Sequence, residues 1–261
     1  FLNQKTQDGG GSGFKYTFAA STGVDTVATI TFQHCNWTRN IGYKGGAYSH
    51  STNSLNIAFE DCTFEHNQVQ KEGGTAGALY IHHTGEILID NCTFYRNMCY
   101  GSSTESYGGG IVFDSACSSA IIRDTTFQRN QAITGHAIYT KSSMSTLRLE
   151  SGCRFLDNSN GEIGYQICHN GAGIEATGTT IEYSLVRLHA GGVKIQSKSI
   201  SKFTQCTFTY CEIPSEKGGG ISLFATEGSA TEESIDLDNC IFDKCDSSEG
   251  AAFYIDAYEL N

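Results

Sequence analysis

One proline, Pro214, one tryptophan, Trp37, and two methionines are all that 261 residues contain of these types. With so little proline, collagen-like and polyproline architectures are excluded. Basic residues are also scarce: 17 Lys and Arg face 28 Asp and Glu, a formal charge of −11 with no basic run. Nucleic acid and anionic membrane are therefore not expected partners. No apolar run is long enough to span a bilayer as a helix, so no membrane insertion is expected. The chain opens at Phe1 without Met or a signal peptide, which reads as a processed end or as one cut from a longer array. Gly-x-Ser-x-Gly, a phosphate loop, Cys-x-x-Cys and any Cys/His spacing of a zinc site are missing too, so neither cofactor nor metal is expected.

What is present is a repeat. The stretch Ile87-Leu-Ile-Asp-Asn-Cys-Thr-Phe-Tyr-Arg-Asn97 alternates apolar and polar residues, slips by one at Asp90-Asn91, turns again at Asn97 and returns through Gly108-Gly-Gly-Ile-Val-Phe113. Period-two alternation marks strands with one buried face, and the slip marks a corner. An aromatic column recurs at Trp37, Phe64, Phe94, Phe127, Phe155, Phe208 and Phe242. Two residues earlier stand Cys35, Cys62, Cys92, Thr125, Cys153, Cys206 and Cys240; three residues later stand Asn40, Asn67, Asn97, Asn130 and Asn158, then Cys211 and Cys245. Glycine returns such as Gly45-Gly-Ala and Gly219-Gly-Ile221 keep step. The interval is mostly about 27 to 34 residues and doubles between Phe155 and Phe208, so a degenerate coil is expected near Thr180 to Leu188.

A repeat too short to bury its own apolar face must stack on its neighbours. The expected fold is all-β: one domain over residues 1–261, a three-faced parallel β-helix solenoid of about eight to nine coils with incomplete coils at both ends. In-register stacking at about 4.8 Å turns the aromatics into a core ladder and the asparagines into an amide ladder. Pairs such as Ile30/Phe32, Ile57/Phe59, Ile87/Ile89 and Ile235/Leu237 supply further inward columns.

Phe64-Glu-His-Asn67, Phe94-Tyr-Arg-Asn97 and Phe127-Gln-Arg-Asn130, together with Gly45-Gly-Ala47 and Gly219-Gly-Ile221, resemble the repeat of the chlamydial polymorphic outer-membrane proteins and related surface β-helix repeats. The resemblance covers nearly the whole chain and implies a right-handed β-helix passenger outside the cell. It departs from that family in lacking a membrane β-barrel region.

Eleven cysteines point to an oxidising compartment, and their odd number leaves at least one unpaired within the chain. Most of the Cys column reads as small buried apolar filling; Cys211 and Cys245, sharing a corner column, form the expected disulfide. Asn36-Trp-Thr38 and Asn91-Cys-Thr93 are N-glycosylation sequons at positions that should face solvent. Asp61, Asp124 and Asp238 lie near one outer corner, and a solvated corner explains them better than a calcium site. No carboxylate pair with the spacing of a glycosidase can be located. The eight histidines read as surface residues, with His136 in a glycine slot.

The first functional expectation is an extracellular, secreted or surface-attached, non-enzymatic structural glycoprotein. It would stack head to tail with itself through terminal strands carrying Phe1, Leu2, Gln4, Phe253, Ile255, Tyr258 and Leu260. An adhesin passenger, binding through loops such as Met98 to Tyr107 and Asp157 to Gln166, is the alternative. A polysaccharide-processing enzyme is the third class.

Overall fold

The computed structural model describes residues 14–16, 28–51, 55–70, 72, 74–82, 85–100, 106–114, 117, 119–141, 144, 146–159, 164–183, 190–196, 200–224 and 234–256. Every strand pairing among them is parallel, and no helix occurs among them. Three sheets form the walls of a coil. The first face holds eight strands, from Ala28–Gln33 to Ile235–Asp238; the second holds eight, from Asn36–Thr38 to Ile241–Asp243; the third holds nine, from Phe14–Tyr16 to Phe253–Asp256. Eight stacked strands on a face make seven turns, slightly fewer than the eight to nine coils expected. The partial coil expected at residues 1–13 lies outside the described residues.

The corners fall where the alternation slips. His34, Asp61, Asn91, Asp124, Gln205 and Asn239 adopt φ between 47° and 55° at the first corner. Arg39, His66, Arg96, Arg129, Asp157, Tyr210 and Lys244 do so at the second. The left-handed residue is thus the one before each ladder asparagine. A short three-stranded sheet of Ile41–Gly42, Gln68–Val69 and Met98–Cys99 follows that corner.

Inside, the rings of Phe64, Phe94, Phe127 and Phe155 stack at 4.7, 4.7 and 4.8 Å with planes within 8° of parallel. The degenerate coil places Ile181 in the same column, paired with both Phe155 and Phe208. Beside it runs the amide ladder. Each Nδ2–H donates to the next Oδ1 from Asn40 through Asn67, Asn97 and Asn130 to Asn158, at 2.9 to 3.0 Å. The same amides donate to the backbone carbonyls of Trp37, Phe64, Phe94 and Phe127. All five asparagines are fully buried, which is tolerable because their polar atoms are satisfied.

Candidate functional site

The third face is where chemistry concentrates. Its inward residues (Leu79, Ile111, Ile138, Ile167, Val193) are buried apolar side chains, while the residues between them point outward in register: Tyr80, Val112, Tyr139, Cys168, Lys194. A groove of about 250 Å³ lies over this column, lined by Ile133, Thr134, Gly135, Tyr139, Gly164, Tyr165, Cys168, Asn170, Lys194, Gln196 and Glu216. Among the described residues the lining mixes aromatic faces, amides, a hydroxyl, one ammonium and one carboxylate.

Several of these groups are fixed by the fold. Tyr165 is 5 % exposed and its hydroxyl donates to the Lys217 carbonyl. Lys194 projects between two rings, with Nζ 5.7 Å from the Tyr165 centroid and 4.8 Å from that of Phe224. Its ammonium has no carboxylate partner among the described residues. A cation held over ring faces keeps its N–H donors available to a ligand. Burial pushes the Tyr139 and Tyr165 hydroxyls up to about 12 and the Cys168 thiol up to about 11, so all three stay neutral at physiological pH.

The same face continues toward earlier coils. The Tyr107 and Tyr139 rings lie 4.6 Å apart, tilted by 35°. Asp114 is buried there; Tyr80 donates to its carboxylate, Lys141 Nζ lies 2.7 Å from it and His82 Nδ1 lies 3.8 Å from it. Lys44 sits 4.9 Å from the Tyr80 ring centroid. Burial, then the hydrogen bond to Asp114, raises the Tyr80 hydroxyl well above its ordinary range.

Most of these residues stand outside the inward columns that make the repeat visible in the sequence. The signal was there in Leu79-Tyr-Ile81, Ile138-Tyr-Thr140 and Val193-Lys-Ile195, where the middle residue must face out.

The residues singled out from the sequence are distributed as follows. Asn36 and Asn91 are exposed, and Asn91 Nδ2 donates to Asp61 Oδ1 at 2.6 Å across the first corner. Asp61 and Asp124 share that corner, whereas Asp238 ends a first-face strand and Asn239 takes the corner instead. Among the described residues no three His, Cys, Asp or Glu side chains come together to hold a metal ion. Phe1, Leu2, Gln4, Tyr258 and Leu260 lie outside the described residues, as do 101–105 and 160–163 of the two loops. Phe253 packs half-buried against the core and Ile255 is exposed. All eleven cysteines are thiols in this structure, so Cys211 and Cys245 share a column without a bridge.

His136 corrects an expectation. It is fully buried, with Nδ1 2.5 Å from the Ala132 carbonyl, and burial lowers its pKa to about 4. The ring fits inside because Gly164 on the next coil has no side chain; a Cβ there would lie 2.7 Å from His136 Nε2. His50 and His169 are buried in the same way.

Among known proteins, no curated sequence and no solved structure matches the chain. A family profile does match, that of the right-handed β-helix region, over residues 11–165. That span is more than half the chain and carries the aromatic, cysteine and asparagine columns in their regular form, so the protein belongs to the right-handed β-helix family.

Proposed function

We propose that the protein is an extracellular, non-enzymatic binding module that holds an extended, carboxylate-bearing glycan against its third face. The observation that carries this reading is Lys194, an ammonium without a carboxylate partner among the described residues, braced by Tyr165 and Phe224 above a groove of rings and amides. Aromatic faces pack against the apolar side of a sugar, and amides and hydroxyls satisfy its rim. An ammonium aimed into the groove favours an acidic substituent. Glycoside hydrolysis by the usual route takes two carboxyl groups about 5–9.5 Å apart. Among the described residues Glu216 is the one carboxylate of the groove lining, which supports binding without turnover. The exposed sequons at Asn36 and Asn91 support a glycoprotein outside the cell.

Titration calorimetry with uronic-acid and neutral oligosaccharides tests this. The acidic series should bind, and Lys194→Ala should weaken it by roughly 10- to 100-fold, the range for a hydrogen bond to a charged group. Equal affinity for both series, or an unaffected Lys194→Ala variant, would refute the reading.

A second reading, head-to-tail stacking into a filament, is favoured by a separate observation. In the last described coil Ile241, Ile255 and Leu237 are 58, 47 and 40 % exposed, although Leu237 stands in register with buried Phe203. A coil from a second copy would cover them. Electron microscopy of native material decides: filaments support stacking, and rods that stay single on concentration sink it.

A further inference from the structure

The amide ladder ends before the last coils, and cysteine takes its place. In earlier coils a Cys or Thr is followed five residues later by Asn, as in Cys62 and Asn67 or Cys92 and Asn97. In the two coils around Phe208 and Phe242 the same positions read Cys206 with Cys211 and Cys240 with Cys245. Both pairs lie in register. The strands Thr207–Thr209 and Ile241–Asp243 pair with Phe208 opposite Phe242, and the flanking partners are Thr204 with Asp238 and Glu212 with Asp246. The Ile241 N–H donates to the Cys206 carbonyl at 2.9 Å and the Asp246 N–H to the Cys211 carbonyl at 3.0 Å, so the backbone is locked on either side of the aromatic. In-register residues on neighbouring parallel strands sit about 4.8 Å apart at Cα. That lies inside the roughly 4.4–6.8 Å window a disulfide needs.

We propose that Cys206 with Cys240 and Cys211 with Cys245 are paired disulfide sites that fasten the last described coil to the one before it, closed by exchange with a glutathione-type disulfide. Cys240 and Cys245 are half-buried and within reach of a reagent, whereas Cys206 and Cys211 lie in the core. The Cys245 thiolate attacks one sulfur of the oxidant disulfide and forms a mixed disulfide, releasing one glutathione thiolate that takes up a proton. Cys211 then gives up its own proton and attacks the Cys245 sulfur, releasing the second glutathione. Two cysteine thiols are oxidised by two electrons, and one glutathione disulfide is reduced to two thiols. Cys240 and Cys206 close by the same two steps. A hydrogen bond from Cys211 holds the Cys245 thiol below its usual pKa, which suits it to attack first. The column at Cys35, Cys62 and Cys92 differs: Cys62 has a cysteine on both sides, so one bridge would strand a neighbour, and those coils already carry the amide ladder.

The full chain is equilibrated in glutathione disulfide, its remaining thiols are alkylated, and it is digested with trypsin without reduction. Cleavage after Lys202, Lys217 and Lys244 leaves Cys206 and Cys211 on one peptide, 203–217, and Cys240 and Cys245 on two others, 218–244 and 245–261. The proposal expects the number of alkylated thiols to fall from eleven to seven, with the three peptides joined. Cys211→Ser should leave 203–217 linked to 218–244 alone, and Cys206→Ser should leave it linked to 245–261 alone. Eleven free thiols after oxidation, the reverse pattern in the two variants, or a bridge within Cys35, Cys62 and Cys92 while the later pairs stay reduced would each overturn it. The wild-type map decides by itself if either variant fails to fold.

Discussion

Asn158 donates its side-chain N–H to Gln166 Oε1 at 2.8 Å, and the amide ladder that begins at Asn40 ends on that glutamine. Gln166 reaches this place from the third face, at a register position that Ala78, Gly110 and Ala137 occupy in earlier coils. A long amide at one small-residue position thus closes off a column built by five asparagines. The Tyr183 hydroxyl donates to the Asn158 carbonyl at the same point, so the ladder's end is held by two side chains that do not belong to the repeat.

The ladder makes its middle members costly to remove. Asn97 accepts from both the backbone N–H and the Nδ2–H of Asn67, and donates to Phe64 O and Asn130 Oδ1. Asn97→Ala strands these partners where water cannot reach. At about 1–3 kcal/mol for each orphaned buried group, a loss of roughly 3–6 kcal/mol in unfolding free energy is expected. Urea denaturation followed by circular dichroism measures it, and a loss below about 1 kcal/mol would show that the ladder is not a principal support.

The aromatic column should respond differently along its length. Phe127 stacks on both Phe94 and Phe155, so Phe127→Ala opens a cavity between two rings and is expected to cost about 3–5 kcal/mol. Phe242 is partly buried and stacks on Phe208. Its replacement by Ala should cost less than half as much. Equal losses at the two positions in the same denaturation assay would contradict the burial gradient.

How legible was this in the sequence? The aromatic, Cys and Asn columns were readable because stacking forces equivalent positions to repeat. The lost motif between Phe155 and Phe208 could be inferred from spacing alone, and Ile181 fills it. His136 and Gln166 were not readable. Each departs from the repeat and is accommodated by a particular partner: Gly164 on the next coil leaves room for the His136 ring, and Asn158, in the same coil as Gln166, donates its side-chain N–H to Gln166 Oε1. The groove was half-readable: alternation says which third-face residues point outward, yet only stacking shows that Tyr139, Tyr165 and Lys194 share one cleft.

Buried histidines make the fold acid-sensitive in a definite window. His136 and His169 are fully buried with pKa values lowered to about 4 by burial, and His50 is lowered to about 4 as well. An unfolded histidine titrates near 6.5, so between about pH 6.5 and 4 the unfolded chain binds protons that the folded chain refuses. The stability these rings contribute is fully present above pH 6.5 and is lost as pH falls to about 4. For His136 and His169 that amounts to about 3 kcal/mol each, at 1.36 kcal/mol per pKa unit. Melting profiles at pH 7.5 and 4.5 should separate clearly, and His136→Gln should narrow the gap between them; an unchanged gap would assign the acid sensitivity elsewhere.

Two glycines separate crowding from backbone strain. At Gly109, φ is not in the left-handed region, but an added Cβ would lie 2.3 Å from the His136 carbonyl oxygen and 2.4 Å from the Gln131 nitrogen, both backbone atoms of the next coil. Neither can move without breaking the coil spacing on which every column depends. At Gly178, by contrast, φ is +59° and the nearest atom to an added Cβ is Ser151 Cα at 3.8 Å, so only the left-handed conformation resists a side chain. That resistance is about 1–2 kcal/mol for an ordinary L-residue. Gly178→Ala should therefore yield a folded protein destabilised by roughly that amount. Gly109→Ala should exceed it by at least about 2 kcal/mol, in the manner of overpacked cores, or fail to accumulate as folded protein. Non-Gly residues already occupy the left-handed state at Asp61, Asn91 and Asp124 in equivalent corners, which sets the precedent for the milder variant. If Gly109→Ala proves as stable as Gly178→Ala, neighbouring coils must be able to separate locally, and the close contact between third-face backbones is not what fixes their spacing.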